Sequence, residues 1–265
     1  MFRELQRLGK LKNVKFGEPD LVKKLQSIAI DNIRGNKIFV SLVLHLLNLV
    51  DSTVISRVFS DFHWRASNEI FKLSLRYIDI DYVNNNQENL LMMLLERTDN
   101  NVAVRRFVDA GINIYAKNKN GLNAFQIAAW HGREKSIDEL LKTGIDIDCR
   151  GYRSCTALMY ATLSRNLSMI RKLLRAGADI NAYESGGKTA LTLSIKNNHE
   201  KVFDELIAQG ADINYPKGEN EFPLMIAAVY ANTELFDKVL SLGADVNQTT
   251  KEGYTSLMFA CNHKR

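Results

Sequence analysis

Cysteine is scarce in this 265-residue chain, and the long apolar runs, leader signals and catalytic signatures that would settle a function quickly are missing. Three cysteines, Cys149, Cys155 and Cys261, are too few to make a disulfide framework. Free thiols fit a reducing compartment, so the chain is read as cytoplasmic. The start, Met1-Phe2-Arg3-Glu4-Leu5-Gln6-Arg7, lacks the apolar core of a signal peptide. The most apolar stretch, Ile38 to Val50, is short for a membrane span and carries Ser41, His45 and Asn48. It reads as a buried helix with His45 in its packing, and no transmembrane segment is expected. No Gly-rich phosphate loop, G-x-S-x-G, H-E-x-x-H or CxxC pair occurs. Cys155 with His131 is the best nucleophile and base on offer, but no third group is visible to orient them. Cys149, Cys155 and His131 match no standard zinc spacing. No catalytic residue, metal or cofactor is therefore assigned, and the chain is read as non-enzymatic.

Charge is present but uneven. The net value is +5. Residues 1–40 hold nine Lys/Arg against four acids, an excess equal to that of the whole chain. The rest balances to zero, which argues against nucleic acid as the main partner, although a basic start keeps that alternative open.

What the sequence does have is a period. Arg175-Ala176-Gly177-Ala178-Asp179-Ile180-Asn181 recurs around Gly210 and Gly243, and more loosely around Gly111 and Gly144. These glycines are spaced by 33, and so are Phe125, Leu158, Leu191, Leu224 and Leu257. Leu91 lies 34 before Phe125, which places one extra residue near Asp99-Asn100-Asn101. Two landmarks sharing one period mark a repeat array, whose core is a strip between neighbouring units and has no single centre.

The units resemble ankyrin repeats. The opening half of that pattern is seen in Gly121-Leu122-Asn123-Ala124-Phe125-Gln126-Ile127-Ala128-Ala129 and Gly187-Lys188-Thr189-Ala190-Leu191. It is seen again in Phe222-Pro223-Leu224-Met225-Ile226-Ala227-Ala228 and Gly253-Tyr254-Thr255-Ser256-Leu257. The closing half is seen in Leu140-Leu141, Leu173-Leu174, Leu206-Ile207 and Val239-Leu240. The family histidine is replaced by Gln126, Met159, Thr192, Met225 and Met258, which puts its usual hydrogen bonds with the motif threonine in question. The resemblance implies an all-α ankyrin-repeat solenoid of helical hairpins and finger loops. Its units are placed at 84–117, 118–150, 151–183, 184–216 and 217–249, with 250–265 a partial repeat or C-terminal cap. The ending at Arg265 leaves two readings, a lone capping helix or a piece of something longer. Tyr77-Ile78-Asp79-Ile80-Asp81 looks like a worn signature, so 52–83 is read as a degenerate repeat. Residues 1–51 are read as an N-terminal helical cap, the alternative being a separate small helical domain.

Ankyrin proteins usually bind partners through finger tips and the exposed face of the first helix of each unit. Carried over, that face offers Lys117, Lys119, Trp130, His131, Arg150, Tyr152, Arg153, Leu163, Tyr183, Lys188 and Tyr230 as partner contacts. It is basic and aromatic near the second and third units and turns acidic toward the last two. Trp, Tyr and Arg are the types that dominate binding hot spots. The expected partner is a protein carrying an acidic and apolar segment, which makes the chain an interaction scaffold. The competing expectation is a substrate-recruiting part of a longer enzyme. Composition and worn repeats also resemble ankyrin effectors of intracellular bacteria. Asn181, Asn214 and Asn247 resemble ankyrin asparagines that host hydroxylases modify.

Overall fold

The computed structural model describes residues 80–215 and 222–262, and the expectations for 1–51, 52–79 and the finger at 216–221 lie outside them. The chain forms two compact units, Met1–Lys119 and Asn120–Arg265. All regular structure among the described residues is helical: eleven α-helices, one 3-10 turn and three isolated β-bridges.

In the first unit, α1 (Leu90–Arg97) is apolar throughout its first six residues, and all six are buried. The second helix, α2 (Asn101–Asp109), is amphipathic and buries Ala103, Val104 and Phe107. Asn89 and Asn100 cap the two helices by accepting from the Met92 and Ala103 amides. The extra residue of this repeat is absorbed before α2: α1 starts 34 residues before its counterpart at Ala124, whereas α2 starts 33 before its counterpart at Glu134.

The second unit holds α3 (Ala124–Trp130), α4 (Glu134–Leu141), a 3-10 turn (Tyr152–Ser154), α5 (Ala157–Leu163) and α6 (Leu167–Arg175). It continues with α7 (Ala190–Lys196), α8 (Glu200–Ala208), α9 (Pro223–Tyr230), α10 (Thr233–Ser241) and α11 (Ser256–Asn262). Each short first helix packs on the next one along, α3 on α5, α5 on α7, α7 on α9 and α9 on α11. Ala128, Ala129, Ala161, Ala227 and Ala228 are buried in that row, and their small side chains let the backbones approach. The following helices show only one face to the core, for example Met169, Ile170 and Leu173 of α6. They end on a left-handed glycine. Gly177 has φ 97°, and the Ala178 amide reaches back to the Leu173 carbonyl at 3.1 Å, a closure that a Cβ would strain.

The Asp-x-Asn signature has two separate jobs. Asp179, Asp212 and Asp245 each accept from the amide two residues on, turning the chain into its finger. Asn181 and Asn214 instead accept from the Asp amide of the following repeat, at 3.2 and 2.7 Å. Asp148 does the same for Asp179, at 3.0 Å. Along the second helices, ion pairs join Asp138 to Lys172, Arg171 to Glu205 and Asp204 to Lys238. These pairs are largely exposed and each adds little.

Replacement of the family histidine has different results in different units. Gln126 keeps a full capping box, its amide N–H bonding Asn123 Oδ1 at 3.0 Å and its side-chain oxygen accepting from the Asn123 amide at 2.9 Å. Thr192 does likewise with Thr189. Met159 has no such group, and the buried Thr156 hydroxyl beside it lacks a hydrogen-bond partner. Leu257 stands where Leu158, Leu191 and Leu224 are buried, yet it is exposed, as no further helix follows α11 among the described residues.

Candidate functional site

The fingers of the second unit present the site. Three of them are tight closures in which the first residue's amide bonds the carbonyl four residues on: Gly151 to Cys155, Glu184 to Lys188, and Thr250 to Tyr254. Finger 151–155 is also held from below by Gln126 of α3, whose side-chain amide donates to the Cys149 carbonyl at 2.9 Å. Gly151 makes that reach possible, because a Cβ there would lie 2.6 Å from Gln126 Oε1. The Tyr152 backbone packs on Gly121 of the preceding finger.

Among the predicted contacts, Trp130 closes α3 with 42% of its surface exposed, and its ring meets Tyr160 edge-on at 5.9 Å. Tyr160 is buried, and burial, with the neighbouring Cys155 thiol adding to the effect, pushes its hydroxyl up to about 12. Tyr152 is 58% exposed at the finger tip. His131 is exposed just past α3, and burial together with Arg133 lowers its pKa. Leu163, at the end of α5, is half-buried. Tyr183 is exposed, its ring tilted on Tyr215 at 6.4 Å. Tyr230 is exposed and carries the Lys196 ammonium 5.1 Å from its ring centroid, a cation–π contact between neighbouring repeats. In the first unit, Lys117 and Lys119 are exposed, and the Lys119 amide bonds the Asn86 carbonyl.

Two predicted cations are engaged by the scaffold. Arg150 Nη1 donates to the Tyr183 carbonyl at 2.6 Å and to the Ser154 carbonyl at 3.2 Å, stitching two fingers together. Lys188 has only 14% of its side chain exposed and lies 3.5 Å from Oε1 of buried Glu184. Arg153 approaches the other oxygen of that carboxylate at 4.0 Å, with 62% of its side chain exposed. Of the two cations beside Glu184, Arg153 is therefore the one that faces solvent.

The chemistry of the site favours contact over reaction. Burial pushes the Cys155 thiol up, and nearby Glu184 adds to the effect against Arg153, Arg150 and Lys188. A thiol held protonated is a poor nucleophile. Cys149 Sγ accepts from Asn123 Nδ2 at 3.3 Å. Among the described residues, no group of three His, Cys, Asp or Glu side chains is arranged to hold a metal ion, and no helix is long and apolar enough to cross a membrane.

Sequence reasoning missed Tyr160 and Glu184. Tyr160 had a signal: it stands in register with Ile127, Leu193 and Ile226, so an aromatic there adds bulk beyond the aliphatic row. The burial of Glu184 had no comparable cue, since its register neighbours Gly151 and Thr250 share no chemistry with it.

A family model described as ankyrin repeats (3 copies) matches residues 62–151 and 147–217. A search of curated protein sequences returned no match. Two of the solved structures that share the fold serve as comparisons. One is the ankyrin repeat domain of Bcl-3, described as a unique member of the IkappaB protein family. It is 23% identical with a TM-score of 0.62, over 93% of this chain and 95% of that one. The other is a chain from the Bd0816 predatory endopeptidase of Bdellovibrio bacteriovorus in complex with immunity protein Bd3460. It is 22% identical with a TM-score of 0.55, over 69% of this chain and 94% of that one. With the matched repeats spanning more than half its length and its helices stacked at their period, the chain belongs to the ankyrin-repeat family.

Proposed function

We propose that this chain is a non-catalytic protein-binding scaffold. It grips a partner segment through the fingers and first-helix ends of its second unit. The observation that carries this reading is the exposure of Trp130, Tyr152 and Arg153 on a framework whose packing does not require them outside. Large rigid side chains and a guanidinium held on fixed elements are the makings of a binding hot spot. The repeats at 118–150 and 151–183 supply these residues. The Bdellovibrio structure that shares the fold is a complex between two proteins, in keeping with this use of the architecture. The surplus of Arg and Lys near Glu184 favours an acidic and apolar segment, steered by charge. The free thiols favour a cytoplasmic setting, including host cytosol if the chain is a bacterial effector.

The test is affinity capture from cytosol, comparing the native chain with a Trp130→Ala, Tyr152→Ala, Arg153→Ala triple variant of unchanged circular dichroism. A protein held by the native chain and lost by the variant is expected. If both chains capture the same set, this face is not the binding face. A gel shift across a salt series addresses the nucleic-acid alternative, which requires retention that weakens as salt rises.

A further inference from the structure

Finger 151–155 is built differently from its siblings. In the fingers around Gly121, Gly187 and Gly253 a single glycine takes the left-handed conformation, at φ 70°, 83° and 83°, and in the first described finger Gln87 does so alone, at φ 62°. The matching position here is Ser154, at φ 63°, and the residue before it, Arg153, is left-handed as well, at φ 53°. Among the described residues this is the only finger with two successive left-handed residues, and neither is glycine. A Cβ disfavours that conformation, while the sibling fingers show that glycine suits the scaffold. The second left-handed residue, Arg153, is what sets this tip apart, and the closure of the sibling fingers does not require it.

The strained turn is nevertheless tightly held. The Arg153 carbonyl accepts from both the amide and the hydroxyl of Ser185, each at 2.8 Å. Arg150 braces the Ser154 carbonyl from the other side. Tyr152 and Arg153 are thus presented as adjacent exposed side chains on a fixed tip. The buried Glu184 carboxylate comes no closer to Arg153 than 4.0 Å, and 62% of the Arg153 side chain is exposed, so its guanidinium is open to solvent.

We propose that the Tyr152–Arg153 tip is the anchor of the binding surface. Its guanidinium takes a carboxylate side chain of an extended partner segment as a forked pair, and an adjoining apolar residue of that segment lies on the Tyr152 ring. This rests on the protein-binding reading above and adds the anchor and the chemistry of the residue it receives.

The experiment pans a random-peptide display library against the full chain and retests the selected peptides on variants. Asp or Glu beside an apolar residue is expected among the selected sequences. An Arg153→Gly, Ser154→Gly double variant, which copies Gly186-Gly187, should bind them at least about tenfold more weakly, losing a forked ion pair. The same variant should melt about 2–4 °C higher through relief of strain. Arg153→Lys, which keeps the charge and loses the fork, should retain weak, salt-sensitive binding. Selected peptides that bind the double variant as well as the native chain overturn the anchor and leave the protein-binding reading standing. A lower melting temperature for the double variant overturns the strain argument on which the anchor rests. No selected peptide at all brings down the protein-binding reading with it.

Discussion

Gln126→Met separates hydrogen bonding from packing at the point where the third finger is fastened to the stack. Methionine is close to glutamine in size and already fills the matching place as Met159 and Met225, so no cavity is created. The buried Asn123 amide would lose its acceptor, and the Cys149 carbonyl would lose a donor now at 2.9 Å. A buried amide left unpaired costs about 1–3 kcal/mol and an ordinary hydrogen bond about 1 kcal/mol, offset by easier burial of a thioether than of an amide. A net loss of about 2–3 kcal/mol follows, or a melting temperature lower by roughly 4–10 °C for a chain of this size. Far-UV circular dichroism would follow the melt, and hydrogen exchange would report the Asn123 amide. A shift under about 1 °C with unchanged Asn123 exchange would refute the reasoning, since it would mean that these bonds contribute almost nothing net.

Two further perturbations test the scaffold. Arg165 sits at φ 58° in the hairpin turn where the preceding repeat has Gly132, so Arg165→Gly should raise the melting temperature by about 2–3 °C; an unchanged or lower value would count against left-handed strain. His199 starts α8 without a side-chain cap, whereas Asn100, Asn166 and Asn232 cap at the same place. Its pKa is lowered by burial, then by Arg165, with the nearby Thr162 backbone acting in the opposite direction. The unfolded chain therefore takes up the proton first. The stability contributed by neutral His199 is fully present above its ordinary value of about 6.5 and is lost as pH falls through that value toward the folded one. His199→Asn should remove this slope from urea denaturation measured between pH 5 and 8 and add about 1 kcal/mol through capping.

Much of the fold was legible because the period is written in residues with fixed backbone duties. Gly177 had to end a helix and Asp179 had to turn the chain, so their recurrence located the hairpins before any coordinates. The ion pairs along the second helices and the Asn-to-Asp amide bonds follow from the same register. The site was less legible, because its geometry depends on departures from the pattern. Gln126 reaches its carbonyl only because Gly151 lacks a side chain, and the two are far apart in sequence. Lys188 looked like a surface cation but is drawn inward by Glu184, whose burial no local rule announced. Ser154 could have been singled out as a non-glycine in a glycine register. The left-handed turn at Arg153 beside it required the backbone itself.

The bonds from Asn181 to the Asp212 amide and from Asn214 to the Asp245 amide make these two boundaries of the second unit chemically interchangeable. Whatever is excised or duplicated in a whole step of 33 residues rejoins a waiting oxygen to a waiting N–H. A cut out of phase by even one residue strands both. Growth and loss by complete modules is therefore the easier route for this part of the chain to lengthen or shorten, whereas the finger joints made by Arg150 and Ser185 have to change together with the tips they hold.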